Sequence, residues 1–229
     1  MGLYQGRVRE VRLGASGLVE VSIVCPAGAV PSAGQYLMAI DPDNQQATLG
    51  TALFTIENQS HGFWAAPQPA VSWNPGTNLD LLGPLGHGFI LPGNVLRLGL
   101  VAMGETVSRL MPLVYKAGLT FTGITLFTDL RLPKLPAAIE VHPLFSIKEA
   151  LDWPDFLALD VPLERLDALR HVLGILDGAI LPCPAQVLVT TPMPCAGLGR
   201  CGVCAIQGKR GWRWVCEDGP VFDLSSLQW

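Results

Sequence analysis

Two textures of hydrophobic and polar spacing divide the chain. Up to about residue 94, apolar and polar residues alternate in short runs separated by turn residues: YQGRVREVRL, LVEVSIV, GQYLMAI, TALFTI, HGFWAA and NLDLLG. Period-two alternation sends successive side chains to opposite faces of a strand. Many short strands at close spacing predict an antiparallel β-barrel or sandwich over residues 1–94. After Asn94 the spacing changes. LRLGLVAM reads as a buried strand, ETVSRLMPLVYKAG as a helix stopped by glycine, and TFTGITLFTDL and AAIEVH as strands. PLERLDALRHVLGIL follows as a helix, and AQVLVTT as the last strand. Strands alternating with helices predict a parallel α/β layer over residues 95–191. Residues 192–229 hold too little apolar surface for a core of their own and read as a cysteine loop, then a strand-like run with a turn at Asp218 and Gly219.

Composition narrows the function. Of 229 residues, 49% are hydrophobic and 15% charged, which argues for packed units and against disorder. Fifteen basic residues against 19 acidic ones leave a net charge of -4, so there is no basic footprint for nucleic-acid phosphates. No run approaches the roughly 18 apolar residues of a membrane span. The opening MGLYQGRVREVRLG lacks the apolar stretch of a secretory signal, so a cytoplasmic address is expected. In that reducing compartment six cysteines are better read as metal or redox chemistry than as disulfides. Cys25 and Cys183 stand apart and read as buried packing thiols.

The other four, Cys195, Cys201, Cys204 and Cys216, follow C-x5-C-x2-C-x11-C. Four thiolates suit a tetrahedral zinc or an iron–sulfur cluster. Zinc knuckles usually bring two tight pairs, whereas this pattern has one tight pair, one cysteine ahead of it on a glycine-containing loop, and one expected behind it on another strand. That asymmetry is similar to the plant-type 2Fe-2S loop, with one residue more before the second cysteine. Gly197, Gly199 and Gly202 would let the backbone wrap a cluster closely and aim N–H groups at it. Structural zinc is the alternative, in a module without redox function. Trp212 and Trp214 share a strand face leading to Cys216, where they would pack or shield the site. The four histidines form no catalytic arrangement; His87 alone lies near a candidate site.

The segment MPCAGLGRCGVCAIQGKRGWRWVCEDGPVFDL resembles the cluster-binding region of the electron-transfer subunit of dihydroorotate dehydrogenase type B, and LLGPLGHGF resembles the loop that closes the flavin barrel of the same family. The resemblance implies a ferredoxin reductase-like architecture: a flavin-binding-type barrel over 1–94, a nucleotide-binding-type α/β domain over 95–191 and a 2Fe-2S subdomain over 192–229. It further implies FAD contacts at Thr55, Gly83, Pro84, Leu85 and Gly86, and a flavoprotein catalytic subunit as partner. A homodimer is the alternative state for the isolated chain.

The sequence departs from the family at both nucleotide sites. TALFTIEN stands where the family carries an arginine for the FAD pyrophosphate, and FWAAPQPAVSW stands where it carries a glycine-rich flavin contact. In LVAMGETVSRLMPL the glycine-rich turn for a nicotinamide dinucleotide is reduced to Gly104, beside Glu105. A carboxylate there repels phosphate, so NAD(P)H is expected to bind weakly or not at all. The expected activity is electron transfer through a 2Fe-2S cluster, with a complete NAD(P)H-dependent FAD oxidoreductase as the alternative.

Overall fold

A computed structural model describes residues 2–14, 17–44, 49–68, 71–115, 121–132, 135–175, 181–195 and 197–228. Its first half is a closed antiparallel barrel of β1 (Gly2–Leu13), β2 (Val19–Val24), β3 (Tyr36–Ile40), β4 (Thr51–Gln59), β5 (Gly62–Gln68) and β6 (Asn78–Leu85), in the order β1-β2-β5-β4-β3-β6. Closure leaves no unpaired edge. The alternation read from the sequence decides what fills it: Val21, Ile23, Leu37, Leu53, Phe63 and Leu81 point inward and form the barrel's own core.

On β3 and β4 the outward positions are buried as well. Leu37 and Leu53 face the barrel interior, while Tyr36, Met38, Ala52 and Phe54 belong to the core shared with the second half. A strand covered on both faces has no solvated side, which is why YLMAI and TALFTI are continuously apolar apart from Tyr36 and the threonines.

The second half is a six-stranded sheet of β7 (Arg97–Ala102), β8 (Gly123–Thr128), β9 (Ile139–His142), β10 (Phe156–Pro162), β11 (Ala185–Thr190) and, later in the chain, β14 (Val221–Asp223). The order is β14-β11-β10-β7-β8-β9, parallel except for the β11–β14 pair. Short helices α1 (Met111–Val114), α2 (Ile147–Ala150) and α3 (Leu166–Leu173) connect these strands, and α3 ends at Gly174, whose φ of 65° closes the last turn. After β11 come the hairpin β12 (Ala205–Gly208) and β13 (Gly211–Trp214) and the single turn α4 (Val215–Asp218).

Four readings are corrected. The central strand β10 lies where no strand is expected, because Asp160 interrupts its apolar run, between Pro154 and Pro162; that carboxylate is fully buried. The helix expected from Glu105 is cut to a 3-10 turn, Ser108–Leu110, leading into α1, because Pro112 has no N–H to bond the carbonyl four residues back. Its expected end at residues 116–118 lies outside the described residues. AQVLVTT is not the sheet's last strand, since β14 adds outside it. Cys216 sits in the helical turn α4, not on a strand. The cysteine segment takes its core from elsewhere: Ile206, Val215, Phe222 and Leu224 join the shared core.

Candidate metal centre and interdomain cleft

Two family-like motifs more than a hundred residues apart meet in space. The loop after β6 and the Asp218–Phe222 segment pack together: His87 N–H donates to the Gly219 carbonyl, Val221 N–H donates to the His87 carbonyl, and His87 bridges to Pro220. Gly86, at φ 70°, lies so close to Gly219 and Pro220 that a Cβ would strike them. Val189 N–H donates to the Pro220 carbonyl, which ties the same segment to β11. The turn carrying Cys216 is thus held between barrel and sheet.

The four cysteines are all free thiols. Cys201 lies within electrostatic reach of Cys195, and Cys204 and Cys195 both lie within electrostatic reach of Cys216. Gly197, Gly199 and Gly202 take φ values of 83°, 62° and 75°, which turn the loop so that N–H groups face the sulfurs. Ala196 lies outside the described residues. Burial raises the Cys195 pKa, but the N–H groups of Arg200, Cys201 and Leu198 and the Cys201 thiol outweigh it and bring the group down to about 6. Burial, then the Cys204 thiol, push Cys216 up to about 12 against one N–H from Gly199. Cys204 and Cys216 are buried, Cys195 is half-buried and Cys201 is exposed. Among the described residues no three His, Cys, Asp or Glu side chains converge on one point as a single metal ion requires.

A barrel residue completes this site. Tyr36 is fully buried, donates its hydroxyl to the Cys216 carbonyl at 2.7 Å, and has its own pKa pushed up by burial and by Cys216, Cys204 and Cys195. Its one signal in the sequence is a phenol at a strand position otherwise filled by apolar residues. Trp214 packs partly on the shared core, whereas Trp212 is exposed. Cys183 is only half-buried, Cys25 is buried as expected, and burial raises both to about 11.

The second feature is a cleft of about 550 Å³ between barrel and sheet. Met38, Thr51 and Ala52 form one wall, Arg109, Pro162 and Thr190 the other. It opens outside the carboxyl ends of β7 and β10, the point where the chain's strand order reverses and where such sheets bind ligands. Arg109 is the one cation among its described lining residues, and it is spent on Asp160: Nε and Nη2 donate to the two carboxylate oxygens at 2.8 and 3.2 Å, with both side chains buried. Burial pushes the Asp160 carboxyl up against the pull of Arg109. The other charges lining the cleft are Glu105 and Glu164.

None of Thr55, Gly83, Pro84, Leu85 and Gly86 lines this cleft. The Thr55 hydroxyl is taken by the Pro31 carbonyl, because that side chain points away from the shared face on which Ala52 and Phe54 lie. The end of β6 and Gly86 approach the cysteine segment instead, with Leu85 near Gly197 and Gly86 against Gly219, and the Gly86 carbonyl accepts from Gln35. Among its described lining residues the cleft has mostly apolar walls and no uncommitted cation.

Residues 191–228 match the iron–sulfur cluster binding domain of dihydroorotate dehydrogenase B. No curated protein sequence matches the chain. Among solved structures, an NADH-dependent reduced ferredoxin–NADP oxidoreductase is similar over 98% of this chain and 90% of its own, at 15% identity and a TM-score of 0.71. Phthalate dioxygenase reductase matches over 84% of this chain and 70% of its own, at 13% identity and a TM-score of 0.55. The ferredoxin–NADP+ reductase of Plasmodium falciparum matches over 77% and 91%, at 11% identity and a TM-score of 0.52. The chain has a ferredoxin reductase-like fold, and its residues 191–228 are similar to the iron–sulfur cluster binding domain of dihydroorotate dehydrogenase B.

Proposed function

We propose that the protein is a cytoplasmic electron-transfer protein or subunit that holds a 2Fe-2S cluster on Cys195, Cys201, Cys204 and Cys216. It relays electrons to or from a partner flavoprotein, of which a dihydroorotate dehydrogenase catalytic subunit is the type suggested by the family match. The observation that carries this reading is the match of residues 191–228, which hold all four cysteines, to an iron–sulfur cluster binding domain. A 2Fe-2S centre takes four cysteine ligands, two to each iron, and when bound it supplies storage for a single electron. The loop glycines, the inward N–H groups and the mixed burial suit that group: Cys204 and Cys216 give it a dry side, and exposed Cys201 gives it a side open to a partner.

The cleft favours a flavin ring as a second ligand. Its place at the strand-order switch and its apolar walls support this, while paired Arg109 and the carboxylates Glu105 and Glu164 speak against a nicotinamide dinucleotide. Neither the cleft nor the barrel loop provides a cation for the FAD pyrophosphate, so no electron step is assigned through it.

Protein purified without oxygen is expected to contain iron and acid-labile sulfide and to show 2Fe-2S absorption, which Cys201→Ser abolishes. Zinc without sulfide overturns the proposal. After FAD is added, NADH is expected to leave the flavin oxidised; bleaching by NADH would instead identify a complete reductase.

A further inference from the structure

Tyr36 is separated from Cys216 by 180 residues, yet it touches the site more directly than most of the cysteine segment does. The turn α4 is four residues long, too short for its carbonyls to be satisfied within the helix. The Asp218 carboxylate at its end accepts from Trp214 N–H at 2.7 Å. The Cys216 carbonyl finds its donor in the Tyr36 hydroxyl, fully removed from water. Across the same hydroxyl lies the cysteine loop: a Cβ on Gly197 would come within 3.0 Å of the Tyr36 oxygen. The phenol therefore sits between the loop that carries Cys195 and the turn that carries Cys216. On its other side the ring meets Phe54 at 5.8 Å, which fixes its direction from within the shared core.

We propose that Tyr36 is a positioning residue of the cysteine site, its hydroxyl holding the Cys216 carbonyl so that the turn presents the Cys216 thiol beside Cys204. The proposal rests on the cluster reading above and extends the site to the barrel. A residue beyond the ligands that orients one of them acts on metal affinity and on potential together. A phenol donating to the ligand's own carbonyl also withdraws electron density from that residue and keeps water from the buried thiol pair.

The test uses the full chain reconstituted without oxygen with ferric iron and sulfide. Tyr36→Phe deletes one oxygen and keeps the ring. Iron release to a ferrous chelator is expected to speed up on the order of tenfold, the lower end of what loss of such a supporting group costs in metal affinity. The midpoint potential and the paramagnetic spectrum of the reduced protein shift with it. Phe54→Leu is the companion variant: it removes the ring contact but leaves the hydroxyl bond, so it should lower the melting temperature and leave release rate and potential near native. Native release rate and spectrum in Tyr36→Phe overturn the proposal, and so does equal acceleration in Phe54→Leu, because the effect would then follow packing. If the native chain itself takes up no iron and sulfide, the cluster reading fails first and this proposal with it, an outcome distinct from the other two.

Discussion

The cysteine segment and the cleft are built in opposite ways. The first gathers its chemistry from one stretch of chain, residues 195–216, and borrows only its support from elsewhere: Tyr36 from the barrel, the loop at His87, the edge of β11. The second gathers its walls from strands and loops of both halves, and its one cation is cancelled by a neighbour, Asp160. A site whose reactive groups lie on one loop keeps its chemistry as long as that loop is docked. A site assembled from distant segments depends on every wall, and here the wall that would meet phosphate carries carboxylates. The difference teaches that the reductase-like architecture supports the cysteine site more fully than it supports nucleotide binding.

The sharpest way to break this comparison is at Asp160. Its replacement by alanine leaves Arg109 charged, buried and unpaired beside Phe54, which costs about 3–5 kcal/mol. Urea unfolding of the apo protein measures it. The double variant Arg109→Met with Asp160→Ala removes both charges and is expected to recover most of the loss, since a buried pair gains little over apolar packing of similar volume. The cysteine site should be spared: Asp160→Ala that folds should still take up iron and sulfide. A cost below about 1 kcal/mol, the range of exposed pairs, would mean that the pair does not seal the cleft.

Gly86→Ala tests the seam between the two regions. At φ 70° an alanine is strained, and its Cβ would press on Gly219 and Pro220. The cost is about 1–3 kcal/mol, and here stability and cluster retention should fall together, because the segment behind Cys216 is displaced. Loss of stability with native iron retention would show that the His87 loop braces the fold without bracing the site.

How far these features were legible in the sequence depends on how local they are. Barrel strands announced themselves by alternation, and the cysteine set by spacing. The fold-wide partners did not. Nothing near Tyr36 in the chain indicates that its outward face meets Cys216, because which face of a doubly covered strand meets which neighbour is a property of assembly. Asp160 misled for a related reason: a carboxylate inside an apolar run reads as a break until its buried partner, Arg109, is known. Motif resemblance points to Gly83–Gly86 but not to the approach of Leu85 and Gly86 to the cysteine segment, since the motif quotes residues and not what they touch. The same limit applies to Thr55, whose hydroxyl is used inside the barrel.

The smallest effect belongs to the opposite end of the same two strands. Where β7 and β10 begin, Asp155 accepts from the Arg97 side chain at 2.7 Å and from the backbone N–H groups of Arg97 and Leu96 at 2.9 and 3.1 Å. The Arg97 side chain first, then its backbone N–H, outweigh the opposing effect of desolvation and bring the Asp155 carboxyl down to about 2. A carboxyl whose folded pKa lies below its unfolded value binds protons more readily when unfolded, so it stabilises the fold above the unfolded pKa and loses that contribution as pH falls toward the folded one. Asp155→Asn should therefore lower the melting temperature slightly at neutral pH, and the gap from the native protein should close between about pH 4 and about pH 2. The pair is open to solvent, so salt should narrow the gap as well. Asp160, buried at the far end of β10, is not screened in this way. A melting difference for Asp155→Asn that persists unchanged at pH 2 and in high salt would show that the loss comes from packing rather than charge, and the contrast between an exposed and a buried Arg–Asp pair on one strand would fail.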